Sequence, residues 1–290
     1  MLQHLSESTV ELAQASIAER MRTVQEDRWV DHPRADLLLD VLNATLGHPR
    51  STRMPSIAIY ADSRMGKTRL VQRFLEQHQA TFDRVTRIEK SPIIAIQMSA
   101  KPTEKRLYTQ LMDALGAPPP ARVSLADMEL VALRLMRHVA PKMLLIDEAH
   151  NLLATSYREQ RAMLNLIRFL SNDLQVSIVC LGVEDAREAI SGDVQLARRF
   201  REYAIPRWQA DEDYQALVLA ILHNLPLRKP SVISRRALKR LVQVSDGITA
   251  DIFAHLAAAA ALAIKSEREA IDDDVLAQVE IPLGRGVRFA

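Results

Sequence analysis

Gly66, Lys67 and Thr68 stand in succession inside "IYADSRMGKTRL" (59–70), and Asp147 and Glu148 stand side by side inside "MLLIDEAH" (143–150). The first trio is what a chain needs to grip a triphosphate. The glycine lets the backbone approach the anion, the ammonium reaches the β- and γ-phosphates, and the hydroxyl helps to hold Mg²⁺. The carboxylate pair supplies the complement. Asp147 would hold the metal, directly or through water, and Glu148 would orient and deprotonate an attacking water. Together they describe an ATP site. Its cofactor-binding loop is Ala61, Asp62, Ser63, Arg64, Met65, Gly66, Lys67, Thr68 and Arg69, with Thr68 and Asp147 as metal ligands and Lys67, Asp147 and Glu148 as catalytic groups. The loop is short of glycines. Ala61 stands at the usual first one, and Arg64 lies inside the loop, where its side chain must point outward and its φ/ψ must suit a residue with a Cβ.

Either group alone has a plainer explanation: a chance G-K-T in a turn, or a carboxylate capping a helix. Their setting decides. A phosphate loop works where a buried strand ends and a helix begins with free N–H groups aimed at the anion. The run 56–61 is apolar and strand-like, and a helix is expected from Lys67 to about residue 79. Further strands are expected at 92–99, 142–149 and 175–183, and helices at 103–116, 125–139 and 158–173. Strands alternating with helices at this spacing imply an α/β fold with a parallel sheet and crossover helices. Asp147 and Glu148 then fall at a strand's carboxyl end, where open parallel sheets bind ligands.

Around this body, a helix over 5–25 is expected outside the main core, and another over 32–47, capped by Asp36 and stopped by Gly47. After "YAIPRW" (203–208) the pattern turns helical, at 211–224, 234–244, 249–266 and 272–279. The division expected is a helical segment over 1–45, an α/β ATPase domain over 46–206, and a small helical lid domain with its tail over 207–290.

Composition narrows the class. The chain has 290 residues, 48% hydrophobic and 26% charged, the profile of an ordinary globular protein. A net charge of +2 means that any basic surface for nucleic acid is local. One cysteine, Cys180, lies in an apolar run and fits a reducing cytoplasm. No apolar stretch is long enough to span a bilayer, no His/Cys set has metal-ligand spacing, and no G-x-S-x-G is present. Trp208 and His150 read as structural. The cluster "SRRALKR" (234–240) reads as a solvated helix face, or as a contact to DNA or a partner.

With these elements in order, the chain resembles an AAA+ ATPase, and most of all the TniB/TnsC family of DNA-binding ATPase regulators of transposition. The resemblance rests on "DRWVDHPRADLLLDVL" (27–42), "RMPSIAIYADSRMGKTRL" (53–70), "LLIDEAHNLL" (144–153), "IVCLGVEDAREAI" (178–190), "DVQLARRF" (193–200) and "DGITADIFAHLAAAAALAI" (246–264). IstB-type helpers and replication-initiator ATPases share the same motifs. The resemblance implies ATP and Mg²⁺ as cofactors and homo-oligomers, as rings or filaments, around duplex DNA. It implies slow, DNA-stimulated hydrolysis as a switch, and recruitment of a DDE-type transposase, with a target-selector protein as a further partner.

It assigns Arg199, before Phe200, to an arginine finger acting on a neighbouring subunit, at the end of a helix; alone, Arg198 and Arg199 read as solvated charges. It points to Lys101, Thr103, Lys105 and Arg106 as contacts to DNA phosphates, without base reading. The alternative for that stretch is a solvated helix start capped by Thr103. Two departures stand out. Gly182-Val183-Glu184 lacks the usual polar sensor, and Gly247-Ile248-Thr249-Ala250-Asp251 has Ala250 where many relatives carry an arginine. Both weigh against fast hydrolysis more than against binding. A helicase loader, or a nucleotide-bound scaffold with vestigial catalysis, is the competing reading.

Overall fold

The computed structural model describes residues 2–84, 88–118, 122–187 and 198–279. Contacts divide the chain into two compact units. An α/β unit holds Leu39–Ser63 and Lys67–Pro206; a helical unit holds the chain up to Leu38, Arg64–Gly66, and the chain from Arg207 onward.

The α/β unit is built on a five-stranded sheet. Its strands are β1 (Ser56–Ala61), β4 (Ile93–Gln97), β5 (Met143–Asp147), β6 (Ser177–Gly182) and β7 (Phe200–Ile205). A separate hairpin joins β2 (Thr81–Asp83) and β3 (Ile88–Lys90). The sheet order is β4-β5-β6-β1-β7, and every neighbouring pair is parallel. All six residues of β1 and of β6 are buried. Apart from Ser56 and Ser177 they hold no polar side chain but the Tyr60 hydroxyl, because both sheet faces are covered.

Helices α5 (Glu104–Ala114), α6 (Leu125–Val139) and α7 (Tyr157–Leu174) supply Leu107, Leu111, Met128, Met136, Leu164 and Ile167 to one core, with Ala58, Tyr60, Leu144 and Ile146 from the sheet. Ile57 and Ile59 point by alternation to the other face. Helix α4 (Lys67–Gln77) follows β1.

Four sheet strands are expected from the sequence, and the structure has a fifth, β7. Only Phe200 is buried; Arg201, Glu202 and Ala204 are exposed, the dress of an edge strand. That pattern hides it from a search for apolar runs.

In the helical unit the 5–25 segment is two helices, α1 (Glu7–Gln14) and α2 (Ile17–Gln25). Ser16 breaks them and caps α2 in a reciprocal box with Glu19. They do not stand apart from a core: α2 packs on α10 (Thr249–Lys265), and Ala13 and Val24 are buried. Helix α3 (Pro33–Leu46) falls within the expected 32–47 but starts one turn ahead of a helix capped by Asp36, on a proline that needs no N–H partner there. Its cap is His32, whose Nδ1 accepts from the Ala35 amide at 3.3 Å, and not Asp36. Burial and the nearby Arg34 cation push His32 down to about 4, so the ring is a neutral acceptor. The remaining helices, α8 (Glu212–His223), α9 (Arg235–Val244) and α11 (Asp273–Gln278), fall where expected.

Trp208 is buried in this unit. Its backbone N–H reaches the Gly247 carbonyl at 2.9 Å, its indole N–H reaches Thr249 Oγ1 at 2.9 Å, and the Arg34 guanidinium lies 3.9 Å over its ring. Gly247 has φ +64° and a Cβ there would meet the Trp208 carbonyl at 2.4 Å, so only glycine fits. Among the described residues no helix is long and apolar enough to cross a membrane.

Candidate nucleotide site

The strand–loop–helix setting is present. β1 ends at Ala61, the chain turns through Asp62–Met65, and α4 begins at Lys67. Two loop residues have left-handed backbone, Arg64 at φ 67° and Gly66 at φ 93°. A Cβ on Gly66 would meet nothing within 4 Å, so glycine is required there by conformation and not by crowding. Arg64 carries the strain of a non-glycine residue in that region, about 1–2 kcal/mol.

Arg64 is held by an ion pair. Its Nη2 lies 2.6 Å from Asp251 Oδ1, and its carbonyl accepts from the Ala250 amide at 3.1 Å. The two oddities of the sequence, an arginine within the loop and a G-x-x-A-D at the start of α10, are therefore partners. Nothing in their spacing announces it, because they stand 187 positions apart.

Lys67 is only 7% exposed. Its Nζ donates to the Ala61 carbonyl at 2.8 Å and the Asp62 carbonyl at 2.9 Å. Burial lowers its pKa, and Glu148, Asp147 and Asp62 oppose that by their charge. The lysine and the carboxylate pair thus share one electrostatic environment. Register explains why: Ile146 pairs with Cys180, and Cys180 with Ala58. Asp147 therefore ends its strand two ladders from β1, about 10 Å across the same sheet edge.

Asp147 Oδ1 accepts from the Glu148 amide at 2.8 Å. Glu148 has φ 56°. This left-handed residue starts a 3-10 turn, Ala149–Ala154, and its carboxylate lies 3.2 Å from His150 Nε2. Asn151 Nδ2 ties the turn to the Met98 carbonyl at 2.9 Å. Gly182, ending β6, packs against it: a Cβ would lie 3.3 Å from the His150 amide nitrogen and 2.7 Å from the Ala186 Cβ. Sequence reasoning set His150 aside as structural, yet it is the side chain in contact with Glu148. Its place two residues beyond Glu148 was the available signal.

Other predicted residues lie elsewhere. Thr68 is exposed at the start of α4, and Arg69 bonds Gln72 at 2.9 Å. Arg198 and Arg199 were expected at the end of a helix, but they form a turn leading into β7; residues 188–197 before them lie outside the described residues. Arg199 bonds Asn172 at 2.7 Å. Phe200 pairs with Ser56 and Ile205 with Ala61, so Arg199 sits at the opposite strand end from the phosphate loop, roughly 20 Å away. The structure does not bring Arg199 to its own chain's Lys67.

Thr103 caps α5 by accepting from the Arg106 amide at 3.3 Å; Arg106 bonds the Lys101 carbonyl at 3.0 Å and Lys105 the Val123 carbonyl at 3.4 Å. All four side chains remain exposed beyond the end of β4. Val183 follows β6 and offers no polar group at the sensor position. The tail 284–290 lies outside the described residues. Among the described residues no group of three or more His, Cys, Asp or Glu could by itself hold a metal ion. An Mg²⁺ here needs phosphate oxygens and water to complete its shell, as is usual for that ion.

A sequence model of the family described as "Bacterial TniB protein" matches residues 20–210. No curated protein matches the chain in sequence. Solved structures do match in fold. The Cdc6p of Pyrobaculum aerophilum aligns at TM-score 0.60 and 14% identity, covering 86% of this chain and 67% of that one. The ORC1 protein of Aeropyrum pernix, solved in complex with DNA, aligns at TM-score 0.60 and 15% identity, covering 89% and 67%. The RuvB Holliday junction branch migration motor of Thermotoga maritima aligns at TM-score 0.51 and 11% identity, covering 86% and 68%. The fold is that of the AAA+ P-loop ATPases.

Proposed function

The chain belongs to the bacterial TniB family, and from that premise we propose that it is an ATP-dependent, DNA-binding regulator of transposition. Its subunits assemble on duplex target DNA in the cytoplasm, recruit or activate a DDE-type transposase, and are released by slow, DNA-stimulated hydrolysis of ATP.

One observation carries this reading. Lys67 is a buried ammonium with no salt bridge among the described residues, bonded to neutral carbonyls, in the field of Asp147 and Glu148. A desolvated cation of this kind suits an anion as its partner. A triphosphate at the Gly66 turn supplies one, and open space at that glycine fits it. Thr68 and Asp147 are the residues to hold Mg²⁺, which would neutralise charge between the phosphates.

The roles of the chain's own groups follow. Lys67 exchanges its carbonyl partners for phosphate oxygens. Glu148, oriented by His150, takes the proton of the attacking water. Arg199, too far from its own loop, acts on a neighbour's nucleotide. Lys101, Thr103, Lys105 and Arg106 contact backbone phosphates. Support for the DNA part comes from the similarly folded ORC1, which was solved with DNA. An apolar Val183 favours slow turnover, since it cannot bond a γ-phosphate.

Glu148→Gln tests the switch. Bound to ATP and duplex DNA, the variant should persist on DNA at least about tenfold longer than the wild type, measured by dissociation into competitor DNA. Equal lifetimes would mean that hydrolysis does not govern release, and the scaffold reading would stand instead.

A further inference from the structure

On the helical unit, α9 and the C-terminal part of the chain border a groove of about 770 Å³. Arg235, Arg236, Lys239 and Arg240 line it, and all four are exposed and make no ion pair among the described residues. The groove also holds Leu241, Val244 and Leu276. His255 reaches it as well, with its Nε2 bonded to the Leu276 carbonyl at 3.3 Å; burial keeps the imidazole below its ordinary 6.5, so it adds no charge. Asp273 is the one carboxylate lining the groove, and it is occupied by the Ser234 amide and hydroxyl.

This arrangement opposes helix stability. Arg235 and Arg236 stand in the first turn of α9, at the positive end of its dipole; that turn has no acidic residue of its own, and the Asp273 carboxylate, bonded to the cap residue Ser234, faces Arg236 alone of the four cations. Arg235 with Lys239, and Arg236 with Arg240, are like charges at i,i+4, a spacing that also destabilises. Other helices of the chain place Glu or Asp in that first turn, as α2, α6 and α7 do. Four cations that face a single carboxylate around an apolar floor are therefore best explained by what they meet.

We propose that this groove is a docking site for an acidic segment of a partner protein, one that carries apolar side chains into the floor and carboxylates to the arginine rim. Charge complementarity selects the sign of the occupant, and the floor selects its kind. Duplex DNA would engage the cations through phosphates but leave Val244, 39% exposed, uncovered. A peptide satisfies both. This site is separate from the nucleotide loop and adds a partner surface to the helical unit.

The test uses the full chain and a fluorescein-labelled peptide of glutamates and leucines at helical spacing, read by anisotropy. The wild type should bind it, and Arg236→Glu with Arg240→Glu should weaken binding roughly tenfold, as should replacing the leucines by serines. Val244→Asp should weaken it by a similar factor. Thermal unfolding by circular dichroism checks each variant, and Arg236→Gln with Arg240→Gln replaces the charge reversal if that does not fold. The proposal is overturned if the leucine and serine peptides bind alike, or if the arginine variants leave the peptide unaffected. It also falls if those variants weaken binding of a 30-base-pair duplex while sparing the peptide.

Discussion

Glu148 and Gly182 meet across one turn at the scale of single atoms. The left-handed backbone at Glu148 is a costly conformation for a side chain of that size, and such positions persist where the surroundings over-determine them. Here Gly182 is part of those surroundings, because its missing side chain lets β6 lie against the turn that follows Glu148. Gly182→Ala should push the His150–Glu148 turn aside. We expect nucleotide affinity to be retained and kcat for ATP to fall roughly tenfold to a hundredfold, compared by steady-state hydrolysis and labelled-nucleotide titration. An unchanged kcat would remove the turn from the mechanism. The placement of Lys67, Asp147 and Glu148 on one sheet edge was legible in the sequence because it depends on immediate neighbours: a glycine before, an apolar run behind. The Glu148–His150 contact was not, since it depends on a dihedral angle that no residue type dictates.

Among elements, the phosphate loop and the start of α10 are the pair to compare. Arg64 occupies a conformation suited to glycine, and its ion pair with Asp251 offsets the strain. Asp251→Asn should loosen the loop and weaken nucleotide binding by roughly fivefold, about 1 kcal/mol, the upper range for a partly exposed ion pair. Adding Arg64→Gly, which takes φ 67° without strain, should restore most of the loss. Titration of the single and double variants with a fluorescent nucleotide gives the coupling, and strictly additive losses would deny the pairing any role. Helices were legible from their periodicity and caps, and buried strands from unbroken apolar runs. β7 was not, because half of its residues face solvent and carry charge. The 5–25 region was legible as helical but not as broken or as packed, since Ser16 reads equally as an interior residue until its box with Glu19 is formed.

For the whole chain, the N-terminal helices are tied to the far end of the sequence. The Arg20 side chain is fully buried, its Nε donates to the Pro226 carbonyl at 2.9 Å, and its Nη1 donates to Glu269 Oε1 at 2.8 Å, 249 positions away. No local reading finds such a partner. The Arg20 guanidinium holds the Glu269 carboxyl below its ordinary 4.5. A depressed folded pKa contributes stability above the unfolded value and loses it as pH falls through the folded one. Glu269→Gln should therefore destabilise by about 3–5 kcal/mol at pH 7, as expected for a buried pair broken on one side, with the gap to wild type closing below pH ~4. Urea unfolding at both pH values measures it; a gap independent of pH would exclude the ion pair as its source. The parallel pairing of β1 and β7 has a last consequence. On the role proposed for Arg199, one copy carries two half-sites facing away from each other, and neither is complete alone. Crowding along a strand of DNA would then be the on-signal and dilution the off-signal, and two differently crippled chains could lend each other the missing half.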